Sequence, residues 1–182
     1  MGINIEGLTP LEQEETLKKL LLRKKILELQ KDQKEDFLTF VRSVWPEFIA
    51  GRHHKIIAKK FEAIATKKIK RLIVNMPPRH TKSEFASFLF PAWMMGREPR
   101  LKIIQTSHTA ELAQRFGRKV RNLIDTEDYQ NIFPGMELSA DSKAAGRWET
   151  NQGGEYFSAG VGGAITGRDA DLLIIDDPHS EQ

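Results

Sequence analysis

The chain has 182 residues, 40% of them hydrophobic and 29% charged, with no cysteine and a formal net charge of +3. That length suits one domain with its own core, or one domain with a helical extension, and the apolar share excludes wholesale disorder. No apolar stretch approaches the ~18–20 residues of a membrane helix, no signal-peptide core opens the chain, and the absence of cysteine excludes disulfides and thiolate chemistry. The expectation is a soluble domain of intracellular type. Its charge is unevenly spread, at −1 over residues 1–36, +12 over 37–125 and −8 over 126–182. A basic middle suits a polyanion partner or a phosphate ligand, and equally a surface whose lysines serve solubility; an acidic end suits a cation.

Thr9-Pro10-Leu11-Glu12 has the form of a helix start, with Thr9 as N-cap, Pro10 in the first turn and Glu12 closing a capping box. The charged, leucine-bearing run that follows predicts a long exposed helix to about Asp36, packing on the domain or on a partner through Leu17, Leu20, Leu21, Ile26 and Leu27. A second helix is expected from Phe37 to Trp45, ending at Pro46, and a third from about His54 to Thr66 with Ile57, Phe61, Ile64 and Ala65 on its apolar side. Arg71 to Met76 is a short apolar run stopping at Pro77-Pro78, the form of a buried parallel strand. Helix is expected again over Ser83–Met95, strand over Leu101–Thr106, and an amphipathic helix over Thr109–Ile124. Extended runs around Trp148 and Tyr156–Phe157 flank Asn151-Gln152-Gly153-Gly154, a hairpin turn, and Leu172–Ile175 forms a last buried strand entering Asp176-Asp177-Pro178. Strands alternating with helices predict an α/β fold, a mainly parallel sheet with helices on both faces.

Two segments carry chemistry. Met76-Pro77-Pro78-Arg79-His80-Thr81-Lys82-Ser83 lies between a predicted strand and a predicted helix; Lys82 and Ser83 fit the phosphate-loop pattern, while Met76 and Thr81 replace its glycines. A loop ending at a helix N-terminus aims free N–H groups at a phosphate; Lys82 would neutralise the β and γ phosphates and the Ser83 hydroxyl would ligate Mg²⁺. Downstream, four apolar residues ending in two acids describe a strand that delivers carboxylates to its C-terminal edge, where ligands of open α/β sheets bind. There Asp176 would hold Mg²⁺ through water, and Asp177 would orient or deprotonate the attacking water. Each segment alone also fits an ordinary strand–loop connection; together they favour a nucleotide site.

Pro77-Pro78-Arg79-His80-Thr81-Lys82-Ser83-Glu84 resembles the divergent Walker A of large terminase subunits, the DNA-packaging motor ATPases of tailed bacteriophages. His53-His54-Lys55-Ile56-Ile57 is similar to their segment near the adenine site, and Thr106–Ala113 with Phe116–Arg121 is similar to their strand–helix segment after Walker A. Gly162–Arg168, Asp171 and Asp176-Asp177-Pro178 resemble their glycine-rich lead into Walker B. The likeness covers about residues 37–182. It implies a P-loop NTPase domain of RecA-like (ASCE) type, with residues 1–36 as a helical N-terminal extension and the chain stopping just after Walker B, so that the family's coupling motif and nuclease domain are not expected. It implies ATP and Mg²⁺ as cofactors, and as nucleotide contacts Pro78, Arg79, His80, Thr81, Lys82, Ser83, Glu84 and His54, with Ser83 and Asp176 at the metal. Arg79 and Lys82 would serve catalysis at the γ phosphate, with Asp177 or Glu181 as the general base. The partners implied are double-stranded DNA, the portal and procapsid, the small terminase subunit and further copies in a ring, all in the host cytoplasm and away from the membrane.

Thr81 stands where the family has glycine, and a β-branched residue there resists positive φ at a cost of order 1–2 kcal/mol, so the loop is either strained or follows another path. Arg168 is expected to pair with Asp169 or Asp171. His53 and His54 are expected to pack against or cap the helix that follows rather than bind metal, and Trp45, Trp93 and Trp148 to sit in the core. The Lys67-Lys68-Ile69-Lys70-Arg71 cluster fits a solvated helix end or a DNA backbone contact. Two other functions share these motifs: a helicase-like P-loop ATPase, and a catalytically weak nucleotide-binding assembly module.

Overall fold

The computed structural model describes residues 9–140, 144 and 146–179. Thr9 and Glu12 cap the first helix reciprocally: the Glu12 N–H donates to the Thr9 hydroxyl at 3.4 Å, and the Thr9 N–H donates to the Glu12 carboxylate at 2.8 Å. This helix, α1, spans Pro10–Glu35. Asp36 takes extended backbone, ends α1, and caps α2 (Phe37–Val44) by accepting the Thr39 N–H at 2.7 Å. Through Leu29 the apolar side chains of α1 stay largely exposed. Only its end docks, Gln33 donating to Ser43 Oγ at 2.8 Å and Gln30 to the Asn131 carbonyl at 2.5 Å. Among the described residues no helix is long and apolar enough to cross a membrane.

α3 (Arg52–Ala65) packs against α2, and α4 (Phe90–Arg97) follows a π-helical turn over Glu84–Leu89. Pro91 accounts for the irregular turn: it brings no N–H to the helical ladder and its ring displaces the carbonyl four residues back, so the ladder widens just upstream. An aromatic core forms where these helices meet. The Phe37 ring meets Phe61, Phe85 and Trp93 edge-on at 5.3, 5.5 and 5.4 Å, Phe61 stacks on Phe90 at 4.2 Å, and Trp93 donates its indole N–H to the Gln33 carbonyl at 2.9 Å. Trp93 and Trp148 are fully buried and Trp45 half-buried, as expected.

The sheet has four strands in the order β2-β3-β1-β4, with β1 Lys102–Ser107, β2 Arg147–Glu149, β3 Glu155–Gly160 and β4 Leu172–Asp176. β1 lies parallel to both β3 and β4, while β2 and β3 form the antiparallel hairpin predicted around Gly153, which turns at φ 88°. Ile103, Gln105 and Ser107 share a face with Tyr156, Ser158, Gly160, Ile174 and Asp176. α5 (Ala110–Ile124), capped by Thr109, packs there so closely that a Cβ on Gly160 would stand 2.7 Å from the Ala110 nitrogen. α6 (Glu127–Ile132), which sequence patterning did not reveal, buries Tyr129, whose hydroxyl donates to the Ala92 carbonyl at 2.8 Å.

Three expectations are corrected. Residues 71–76 form no strand: Leu72, Val74 and Met76 pack on the core while Ile73 is 86% exposed, because no strand lies alongside to complete a ladder. β4 is consequently an edge strand, not a buried one, with Leu173 and Ile175 exposed. Finally, among the described residues α5 and the π-helical turn cover one face of the sheet, the one bearing Gly160 and Asp176, where helices on both faces were expected. On the other, Arg168 lies 3.8 Å above the Phe157 ring.

Candidate functional site

Parallel pairing brings the C-terminal ends of β1 and β4 to one edge of the sheet. At that edge Asp176 faces the covered side and is 6% exposed. Asp177 turns away in a left-handed conformation, φ 43°, held where its carbonyl accepts the His108 N–H at 3.1 Å. Lys82, from the loop before the π-helical turn, donates to Asp177 Oδ1 and sits 3.8 Å from Asp176 Oδ1. The buried Ser87 hydroxyl donates to the other Asp176 oxygen at 2.9 Å. The two motifs, 95 residues apart in the chain, therefore meet side chain to side chain.

Arg79 and Thr81 both take left-handed backbone, at φ 62° and 61°, so the strained path is the one observed. The Thr81 hydroxyl donates to the His80 carbonyl at 2.6 Å and lies 2.6 Å from His54 Nε2, and a ring nitrogen of His80 lies 2.8 Å from the Pro78 carbonyl. The first helical hydrogen bond runs from the Phe85 N–H to the Thr81 carbonyl at 2.9 Å, which leaves the amides of Lys82, Ser83 and Glu84 at the free end of a helix. Beside them opens a cavity of ≈ 710 Å³ lined by Met76, Pro77, Pro78, Arg79, Thr81, Lys82, Ser83, Glu84, Asp177, Pro178 and His179.

Most of the expected nucleotide contacts thus border one cavity. His54 does not: its ring is 7% exposed, packed 4.8 Å from the rings of Phe48 and Phe85, and its Nδ1 accepts the Gly51 N–H at 2.9 Å, capping α3. Both of its ring nitrogens have protein partners, and its expected capping role holds. Burial first, then the neighbouring His53 and His80, holds the His54 pKa below the usual histidine value. His80 likewise turns its ring toward the Pro78 carbonyl and does not line the cavity. Glu84, at the rim, also reaches Lys119 at 2.5 Å. Arg79 is exposed at the cavity and, among the described residues, makes no ion pair. Glu181 lies outside the described residues.

Arg168 pairs with Glu155 at 2.9 Å rather than with Asp169 or Asp171. β3 sets Glu155 and Phe157 two residues apart on one face, so a single guanidinium meets both a charge and a ring, while Asp171 binds the Lys102 N–H at 2.9 Å. Sequence patterning also missed Ser87. Its one signal was a small hydroxyl residue amid the apolar Phe85, Phe88 and Leu89.

Over 147 residues the chain is 27% identical to the "Terminase, large subunit" of Enterobacteria phage T3. The chain is similar to that terminase large subunit. The match covers 79% of the chain and 25% of the phage T3 protein, so the chain spans about a quarter of the length of that relative. No family model matches the chain, and no solved structure matches it. The terminase likeness accordingly rests on sequence, and the α/β architecture on the chain's own structure.

Proposed function

We propose that this chain is the ATP-hydrolysing part of a phage DNA-packaging motor, a P-loop NTPase that couples Mg²⁺-ATP hydrolysis to movement of double-stranded DNA. The observation that supports this reading best is the meeting of Lys82 with Asp176 and Asp177 beside a helix N-terminus and a cavity. The ammonium, free amides and carboxylates are the groups that a phosphate chain and its metal require. The relationship to a terminase large subunit supports packaging as the setting, with the portal, procapsid, small subunit and a ring of copies as partners. The exposed Lys67, Lys68, Lys70 and Arg71 suit a salt-sensitive contact with the DNA backbone.

The donor set fits Mg²⁺, which favours hard oxygen ligands and takes one or two carboxylates together with substrate phosphates. Ser83 and Asp176 would hold it, and the bound ion would neutralise charge developing on the transferred phosphoryl group. Lys82 must exchange Asp177 for phosphate oxygens, and this exchange frees the Asp177 carboxylate to orient water. Arg79 is exposed at the cavity, and in this reading it would reach the γ phosphate. Calorimetric titration with Mg²⁺-ATP tests the reading: Lys82→Ala should weaken binding at least tenfold while circular dichroism stays unchanged. Equal affinity in the variant would refute the phosphate-loop assignment.

A further inference from the structure

We propose that His54 is a positioning residue that holds the loop at Thr81 in its left-handed conformation through the threonine hydroxyl, doing by side chain what glycine would do by freedom of backbone. The inference rests on the phosphate-loop reading of residues 77–83.

Their partners assign the protons of His54 and Thr81. The Gly51 amide can only donate, so His54 Nδ1 accepts, at 2.9 Å. A neutral imidazole with an accepting Nδ1 carries its proton on Nε2, which therefore donates to Thr81 Oγ1 at 2.6 Å, with His53 Nε2 further off at 3.1 Å. The Thr81 hydroxyl keeps one proton and donates it to the His80 carbonyl at 2.6 Å. A directed chain results, from the start of α3 through His54 and Thr81 to the loop backbone. The ring is anchored independently by Phe48 and Phe85, each 4.8 Å away. It is a fixed post, and Thr81 is tied to it at φ 61°. Glycine at 81 would relieve the Cβ strain but lose both hydroxyl bonds and gain freedom in every other conformation.

The test measures the loop with and without nucleotide. In hydrogen exchange without ATP, Thr81→Val, which keeps the shape and loses both hydroxyl bonds, should speed exchange of the Phe85 amide, which is bonded to the Thr81 carbonyl, by at least the roughly threefold to tenfold of one hydrogen bond. His54→Phe, which loses only the bond to Thr81, should speed it roughly threefold to tenfold, the double variant should be no faster than Thr81→Val alone, and Thr81→Ser should restore protection. Thr81→Gly should exchange faster still and bind Mg²⁺-ATP no more tightly than the unaltered chain. Wild-type exchange in Thr81→Val, additive effects in the double variant, or tighter ATP binding by Thr81→Gly would each overturn the proposal. If the unaltered chain binds no ATP, the phosphate-loop reading fails, while the exchange experiment still decides whether His54 holds the loop.

Discussion

Removing the Ser87 hydroxyl should destabilise the chain more than its size suggests. Ser87 is fully buried, Asp176 nearly so, and their hydrogen bond of 2.9 Å satisfies one oxygen of a carboxylate whose other oxygen, among the described residues, has Lys82 at 3.8 Å. A hydrogen bond to a charged group contributes about 1.5–3 kcal/mol, and its loss leaves the carboxylate under-solvated inside the protein. Ser87→Ala deletes one atom and introduces no clash, so the cost is electrostatic. For a chain of 150–250 residues it should lower the melting temperature by roughly 3–10 °C. Urea unfolding at neutral pH gives the free energy directly. A double-mutant cycle with Asp176→Asn isolates the pair, since Ser87→Ala should cost far less once the charge is gone. A loss below about 0.5 kcal/mol, or an equal loss in the Asp176→Asn background, would refute the reasoning.

Gly160→Ala should loosen α5 from β3, because the added Cβ would stand 2.7 Å from the Ala110 nitrogen and backbone cannot yield as a side chain does; a cost of about 1–3 kcal/mol is expected from such overpacking, read from urea midpoints. Stability should also fall in acid through His54. Its folded pKa lies below the ordinary 6.5, so as pH drops through 6.5 the unfolded chain takes up a proton that the native imidazole refuses. The loss is at most about 1.4 kcal/mol per pH unit for one proton and should vanish above pH 7. A urea series from pH 7.5 to 5.5 on the unaltered chain and on His54→Phe measures it, and identical slopes would exclude His54 as the source.

What was legible in the sequence was local. Thr9, Pro10 and Glu12 announce α1 because capping is decided within four residues, and the two faces of α5 follow from its helical period. Lys82, Ser83, Asp176 and Asp177 were legible as motifs for the same reason. Pairing was not. Arg71–Met76 has the composition of a strand, but a strand exists only where a neighbour completes its hydrogen bonds, and nothing in six residues states whether one does. Leu172–Ile175 reads as buried for the same reason, although exposure of Leu173 depends on what covers the far face. The partners of Ser87, Arg168 and His54 lie 89, 13 and 27 residues away, and each was set by how elements cross rather than by spacing. His54 looked like part of a ligand segment because proximity to the loop is readable and the direction of a ring is not.

On the nucleotide reading proposed above, the pairing of Lys82 with Asp177 would make the resting site an anion exchanger rather than an open receptor. An arriving phosphate would displace a carboxylate already in contact with the lysine, so much of its attraction would be offset by what the lysine gives up. The displaced group has little room to travel as backbone, because the Asp177 carbonyl stays tied to the His108 N–H between the ends of β1 and β4. Occupancy would then be reported by one side chain swinging free of a stationary main chain. That is a small, fast movement, made at the outer strand of a sheet whose far edge is still open.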